Sequence, residues 1–566
     1  MAEQGTGQAV ADVIGRTLAE LGIGHVFGVV GSGNFHLTNA LIRHGVPFTA
    51  ARHEGGAATM ADAYARMSGR PAVVTTHQGC GLTNAATGIG EAAKSRTPLI
   101  VLTADTAGAA VRSNFRIDQD ALARSLGAVP ERIHSPAGAV ADTVRAWRTA
   151  VNERRTVVLS VPLDVQAAPA PAGSGPAPVP TPPPAPRVRP EPDAVAALAA
   201  ALRRARRPVF VAGRGARGAG PEIAALAEKA GALLATSAVA NGLFEGSDWN
   251  LGISGGFSSP LTAELIAGAD LIVGWGCTLN MWTMRHGALI GPEATVVQVD
   301  VEEPALGANR PIDLGVLGDS ALTAADVLAA LPQRPAVNYR TLETGRRIAA
   351  EARWQQVPVQ DISTADRIDP RLLTIELDRL LPGQRIVSID SGNFMGYPST
   401  HLRVPDEFGF CFTQAFQSVG LGLATAIGAA AARPDRLPVL GTGDGGFLMG
   451  ISELETAVRL RLPLVVIIYN DAAYGAEVHH FGAAGSDPGD TVPMDTVPMD
   501  TVTFPDTDLA AVARGYGADG VTVRSVADLA PVQDWLDGPR TAPLVIDAKI
   551  ASDGGAWWLA EAFKGH

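Results

Sequence analysis

Residues 437–471 read LPVLGTGDGGFLMGISELETAVRLRLPLVVIIYND. An apolar run, LPVLG (437–441), is followed by a helical pattern over 451–460 and a second apolar run, PLVVIIYN (463–470). Continuously apolar strands separated by a helix belong to a parallel sheet covered on both faces. The crossover brings both strand ends to one sheet edge. Asp444 and Asp471, 27 residues apart, are therefore expected side by side at the carboxyl ends of neighbouring strands. Two carboxylates there repel unless a hard cation such as Mg2+ or Ca2+ lies between them. The glycines around Asp444 let main-chain N–H groups come close to an anion. The stretch predicts a phosphate group bridged to the chain by a metal ion.

The same alternation runs outward in both directions. Strands are expected at 25–30, 72–76, 98–104 and 156–162, with helices near 55–67, 84–94 and 139–152 between them. A second block holds strands at 208–213, 270–276 and 295–301, with helices at 193–205 and near 221–231. The third has helices at 370–380, 419–432 and 451–460, and strands at 385–390, 437–441, 463–470 and 543–549. The expected fold class is α/β, with three doubly wound parallel-sheet domains. The boundaries read as a first domain at 1–166, a proline-rich linker at 167–190 and a central domain at 191–333. A connecting segment at 334–367 leads to a last domain at 368–550 and a tail at 551–566. The 566-residue length agrees with about three cores. DTVPM occurs twice in succession, at 490–494 and 495–499, and reads as a duplication in an exposed loop.

The net charge of −12 argues against a nucleic-acid partner. No apolar run is long enough to span a membrane, and the N-terminus lacks the pattern of a signal peptide. Three scattered cysteines, Cys80, Cys277 and Cys411, suggest neither a disulfide framework nor a zinc ribbon, so a cytoplasmic location is expected.

GDGGFLMGISELETAVRLRLPLVVIIYNDAAYG resembles the thiamine diphosphate motif, a GDG followed by an asparagine pair some 26 residues on. The order of the three blocks is similar to the acetohydroxyacid synthase, pyruvate oxidase and 2-oxo acid decarboxylase group. The resemblance implies that Asp444, Asp471 and the carbonyl of Ala473 hold the metal, with Asp471 where the family usually has asparagine. Gly445, Gly446 and Gly475 would lie against the diphosphate. RHEGGAATMADAYAR (52–66) is similar to the family's RHE-x-GA segment, which makes Glu54 the acid at the cofactor's aminopyrimidine N1′. A carboxyl group there favours the tautomer that removes the thiazolium C2 proton.

FTQAFQSVGLGLATAIGAA (412–430) resembles the segment that bends the cofactor. Val419 would be the wedge beneath its rings, and the Gln417 carbonyl the acceptor of its amino group. SIDSGNFMG (388–396) looks like the first diphosphate loop, with Gly392 and Asn393 as contacts. THQGCGLTN (76–84) takes the slot of the synthases' S-G-P-G-x-T-N and brings His77 toward the substrate side. Gln119 matches a glutamine of IDQ-type relatives. Glu477, in YGAEVHHF, sits where decarboxylase relatives place a proton-moving acid.

GRGARG (213–218) after a strand suggests a dinucleotide site, but its second strand, LLATS, ends without the confirming acid. Flavin-binding relatives carry an arginine after a G-A-R turn, and the matching turn is Gly276-Cys277-Thr278, so FAD is not expected. The resemblance implies decarboxylation of a 2-oxo acid donor with ligation to a second carbonyl compound, as in acetolactate synthase. The alternatives are a non-ligating decarboxylase or carbon–carbon lyase, and a flavin or NAD oxidoreductase. In the family the cofactor lies between two chains, so a homodimer or homotetramer is implied.

Overall fold

The structure is a computed structural model that describes residues 8–170, 179, 182–332, 339–482, 499–555 and 558. It contains three six-stranded sheets, and every strand pair within them is parallel. Helices cover both faces, and the central strands, such as Ala72–Thr76, Leu271–Trp275 and Val465–Asn470, are buried along their whole length. This is the doubly wound α/β architecture that the unbroken apolar runs require.

The first and last sheets have one topology. In chain order, the strands of the first are His25–Gly28, Phe48–Ala50, Ala72–Thr76, Leu99–Asp105, Val129–Arg132 and Thr156–Pro162. They lie across the sheet as second, first, third, fourth, sixth and fifth. The last sheet, built from Arg385–Ile389, Phe410–Phe412, Leu437–Gly443, Val465–Asn470, Asp519–Val523 and Leu544–Lys549, has the same order. The middle sheet runs third, second, first, fourth, fifth, sixth, the order of dinucleotide-binding folds.

The outer units meet through counterpart helices, Glu54–Ser68 and Gly422–Ala432. Gly428 lies so close to the Met60 backbone that any Cβ would collide with it. Their joint core contains Phe27, Val74 and Val101 from one unit and Leu440, Phe447 and Ile468 from the other.

Two expected helices differ in outline. The one expected near 84–94 is two pieces, Cys80–Asn84 and Ala86–Lys94. The one expected from 419 begins at Gly422, because Gln417 (φ +57°) and Gly420 (φ +90°) hold the preceding residues in a turn. All three cysteines are free, with Cys277 and Cys411 buried. Among the described residues no helix is long and apolar enough to cross a membrane. Apart from Met499, the DTVPM repeat lies outside the described residues.

Candidate active site

Strands Leu437–Gly443 and Val465–Asn470 pair with Gly443 opposite Tyr469. That register delivers Asp444 and Asp471 next to one another at the carboxyl edge. Both line a cleft of about 810 Å3. Burial pushes both carboxyl groups above the usual range, and the charge of Asp444 pushes Asp471 further. The pair therefore favours a shared proton or a cation between the two groups. Among the described residues no cluster of three or more histidine, cysteine, aspartate or glutamate side chains could hold a metal. A divalent ion here would thus draw its remaining ligands from backbone carbonyls and from the ligand itself. Ala473 lines the same cleft, beside Ala472, whose φ of +58° turns the loop.

The cleft walls are stripped to backbone where a phosphate would approach. Gly475 faces the Asp471 carboxylate so closely that a Cβ would strike it, and a Cβ on Gly445 would come 2.7 Å from the Tyr474 ring. Gly446 is spent differently: its missing side chain makes room for Asp390. Gly392 (φ +149°) and Asn393 line the cleft as well, and the Asn393 carbonyl accepts a hydrogen bond from Trp558 Nε1 at 2.8 Å. Gln417 and Val419 line it too, with Val419 39 % exposed. Glu477 stands exposed at the cleft, on the helix Gly475–Gly482.

Sequence reading missed Asp390. It is buried at the end of strand Arg385–Ile389, where it accepts the Ser391 N–H at 2.8 Å and the Gly420 N–H at 3.0 Å. It thereby ties the Ser391–Asn393 loop to the Gln417–Val419 turn. Burial pushes its carboxyl group up to about 6. The available signal was an aspartate ending an apolar strand directly before Ser-Gly-Asn.

A second group of expected residues collects at the carboxyl edge of the first sheet. Glu54 opens the helix Glu54–Ser68, and Asn84 Nδ2 donates to its Oε2 at 3.0 Å. Its Oε1 and the His77 side chain both border the space where a Gly81 Cβ would lie. His77 Nδ1 donates to the Gln78 carbonyl at 2.9 Å, which points Nε2 toward the Ser32 hydroxyl at 3.5 Å. Phe115 packs edge-on against the His77 ring.

Gln119 is buried with its amide fully used. Its Oε1 accepts the Gly79 N–H at 3.0 Å, and its Nε2 donates to the Ala104 carbonyl and the Ser160 hydroxyl, both at 3.1 Å. It holds the 77–80 loop in shape, and its side chain has no donor left to offer a substrate.

These two groups do not meet within one chain. From the first unit, the cleft is bordered by Arg66 and Lys94, near the distal ends of helices Glu54–Ser68 and Ala86–Lys94. Twelve residues of helix separate Glu54 from Arg66, about 18 Å at 1.5 Å per residue.

In the middle unit, Gly213 and Gly215 pack against the backbone of Gly276 and Cys277. Two glycines of GRGARG are thus accounted for by close packing between loops. The neighbouring strand Leu233–Thr236 ends in Thr236-Ser237, without an acid.

Paired carboxyl groups at adjacent strand ends thus face a glycine-lined cleft. Comparison with known proteins gives the class. Residues 8–122 match the thiamine pyrophosphate enzyme N-terminal TPP binding domain, 195–331 the central domain, and 390–548 the C-terminal TPP binding domain. Over 529 residues the chain is 31 % identical to the "Probable 2-ketoarginine decarboxylase AruI" of Pseudomonas aeruginosa, covering 91 % of this chain and 89 % of that protein. It is 28 % identical over 542 residues to the sulfoacetaldehyde acetyltransferase of Castellaniella defragrans, covering 91 % and 88 %. It is 27 % identical over 480 residues to the "Probable acetolactate synthase large subunit" of Methanocaldococcus jannaschii, covering 82 % and 80 %. The chain belongs to the thiamine pyrophosphate enzyme family and acts as an enzyme of transferase or lyase type on oxo acids or aldehydes.

Proposed function

We propose that the protein decarboxylates a 2-oxo acid and ligates the remaining acyl unit to a second carbonyl compound, with thiamine diphosphate and Mg2+ or Ca2+ bound at the Asp444–Asp471 edge. The observation that carries this reading is the juxtaposition of those two carboxyl groups in a cleft walled by the Gly392–Asn393 loop and the Gln417–Val419 turn. Bound thiamine diphosphate supplies the carbon nucleophile that takes up the acyl group.

The chain's own residues do the rest. Asp444, Asp471 and the Ala473 carbonyl would hold the cation, and Gly445, Gly475 and Asn393 would border the diphosphate. Val419 would support the cofactor, and the Gln417 carbonyl would accept its amino group. Glu54, steadied by Asn84, holds the proton at the pyrimidine N1′ through Oε1. His77 presents Nε2, beside the Ser32 hydroxyl, on the substrate side. Gln119 acts by positioning the 77–80 loop. The 18 Å separation along the helix supports an active site completed by a second copy of the chain, hence a homodimer or a homotetramer. A cytoplasmic location is part of this reading, supported by three free cysteines.

Non-ligating decarboxylation is the second reading. It is favoured by Glu477, a carboxyl group at the cleft that can deliver a proton in place of an acceptor. Product analysis of the loaded enzyme separates the two. Pyruvate with added aldehydes should give ligated hydroxyketones, and release of free aldehyde alone would leave only the second reading.

A further inference from the structure

Two buried glutamates tie the outer units together reciprocally. Glu91, on the helix Ala86–Lys94 of the first unit, accepts the Ala415 N–H at 3.1 Å and the Phe416 N–H at 2.6 Å. Those amides directly precede Gln417. Glu453, on the helix Ser452–Arg459 of the last unit, accepts the Arg52 N–H at 3.1 Å and the His53 N–H at 3.0 Å. Those amides directly precede Glu54. The two helices are counterparts, each following the third strand of a sheet with the same strand order. Each glutamate therefore reaches across the interface to the backbone just before a residue of the other unit's half-site.

Both side chains are built in. Glu91 is 0 % and Glu453 2 % exposed. Glu91 is braced by Arg66 Nη2 at 2.7 Å and the Ser95 hydroxyl at 3.2 Å, and Glu453 by the Thr456 hydroxyl at 2.8 Å. Glycines make room on each side: a Cβ on Gly56 would collide with the Glu453 carboxylate, and one on Gly90 would come 2.8 Å from the Phe416 ring. An interface needing only adhesion has no use for a buried carboxylate on main-chain amides, because apolar packing achieves it without desolvating a charge. A carboxylate that receives two N–H groups instead sets the position of the peptide that carries them.

We propose that Glu453 and Glu91 are positioning residues of the enzyme, Glu453 setting the backbone that presents Glu54 and Glu91 setting the turn that presents Gln417 and Val419. The functional half rests on the roles assigned to Glu54 and Val419 above. The structural half stands without them.

The test is local amide hydrogen exchange on the full-length protein without cofactor, followed by C2–H exchange and cofactor affinity in the loaded enzyme. In Glu453→Gln, peptides covering 50–57 should exchange about tenfold faster or more, with 413–421 unchanged, and Glu91→Gln should do the reverse. Glu453→Gln should slow C2–H exchange of bound thiamine diphosphate about tenfold while its dissociation constant changes less than about threefold. Gly56→Ala and Gly90→Ala, which displace the contacts without altering charge, should reproduce the respective patterns and keep the test open if a glutamate variant fails to fold. Unchanged exchange in the named loop, or loosening of both loops together in every variant, would overturn the proposal. Local loosening with an unchanged C2–H rate would leave the clamp standing and refute the role given to Glu54.

Discussion

Asn84 Nδ2 donates to Glu54 Oε2 at 3.0 Å, from the end of a short helix to the first residue of another 30 positions earlier. One carboxyl oxygen of Glu54 is thus occupied by a side chain of its own unit, and the other is left to a ligand. Glu54→Gln should keep the fold and slow C2–H exchange by about two orders of magnitude, the usual scale of an acid–base contribution. Asn84→Ala should produce a smaller loss of about tenfold, since orientation is weakened and the acid is kept. Deuterium exchange at C2 followed by NMR checks both, and wild-type exchange in Glu54→Gln would remove that residue from the mechanism.

The metal site proposed at this edge predicts an asymmetry between its two aspartates. Asp444→Ala should weaken metal-dependent cofactor binding by about a hundredfold or more, because one carboxyl group is left buried without a bridging charge. Asp471→Asn should be mild, since an amide oxygen also serves a hard cation and relieves the repulsion with Asp444. Cofactor titration at fixed Mg2+ measures both. Equal damage from the two changes would show that the second ligand is misassigned.

Glu477→Gln should shift the product ratio away from free aldehyde and toward ligated product, because the cleft loses a proton donor. Parallel yields of the two products from one incubation give the answer. An identical ratio in the variant would exclude Glu477 from proton delivery.

Gln119→Ala should destabilise the protein by about 2–4 kcal/mol, since it orphans the buried Gly79 N–H and Ser160 hydroxyl and leaves the Ala104 carbonyl with only the Thr103 hydroxyl as a side-chain donor. Denaturant unfolding reads the loss. A variant of normal stability but low kcat would instead make Gln119 a participant in the reaction.

His25 and His401 predict a sensitivity to acid. Burial lowers each from its ordinary value of 6.5 to about 4. Between those values the unfolded chain binds protons that the folded chain refuses, so stability is full above pH 6.5 and falls as the pH drops toward 4. The loss should reach on the order of 2 kcal/mol per histidine by about pH 4.5. Thermal unfolding at about pH 7 and about pH 4.5 measures it. The double variant His25→Gln, His401→Gln should show a shallower fall, and an equally steep one would contradict the assignment.

Much of the architecture could be read in advance, and the part that escaped has one character. The strands legible in the chain were interior ones such as VVIIYN, whose two faces are both covered and whose apolar run is unbroken. The strands not foreseen were Phe48–Ala50 and Val129–Arg132, Asn250–Ile253 and Leu314–Leu317, and Phe410–Phe412 and Asp519–Val523. These are the two margins of each sheet. A marginal strand has one neighbour and partial exposure, so it carries mixed residues over a short length, as in VPER, and leaves little periodic signal.

The site divides the same way. Local sequence determined the half-sites, because glycines, a strand end and an acid within a few residues specify a turn and its charge. That is why Asp444, Asp471 and Gly475 could be proposed from one stretch, and Glu54 from another. Only the tertiary structure decided how they are held. Asp390 beneath two loops, Gln119 with every amide atom engaged, and Glu91 and Glu453 reaching across to backbone amides some 320 and 400 positions away are matters of long-range packing. A hydrogen bond from a side chain to a distant peptide N–H places no demand on the residue that owns the peptide, so nothing in the sequence marks the pair until the fold brings them together.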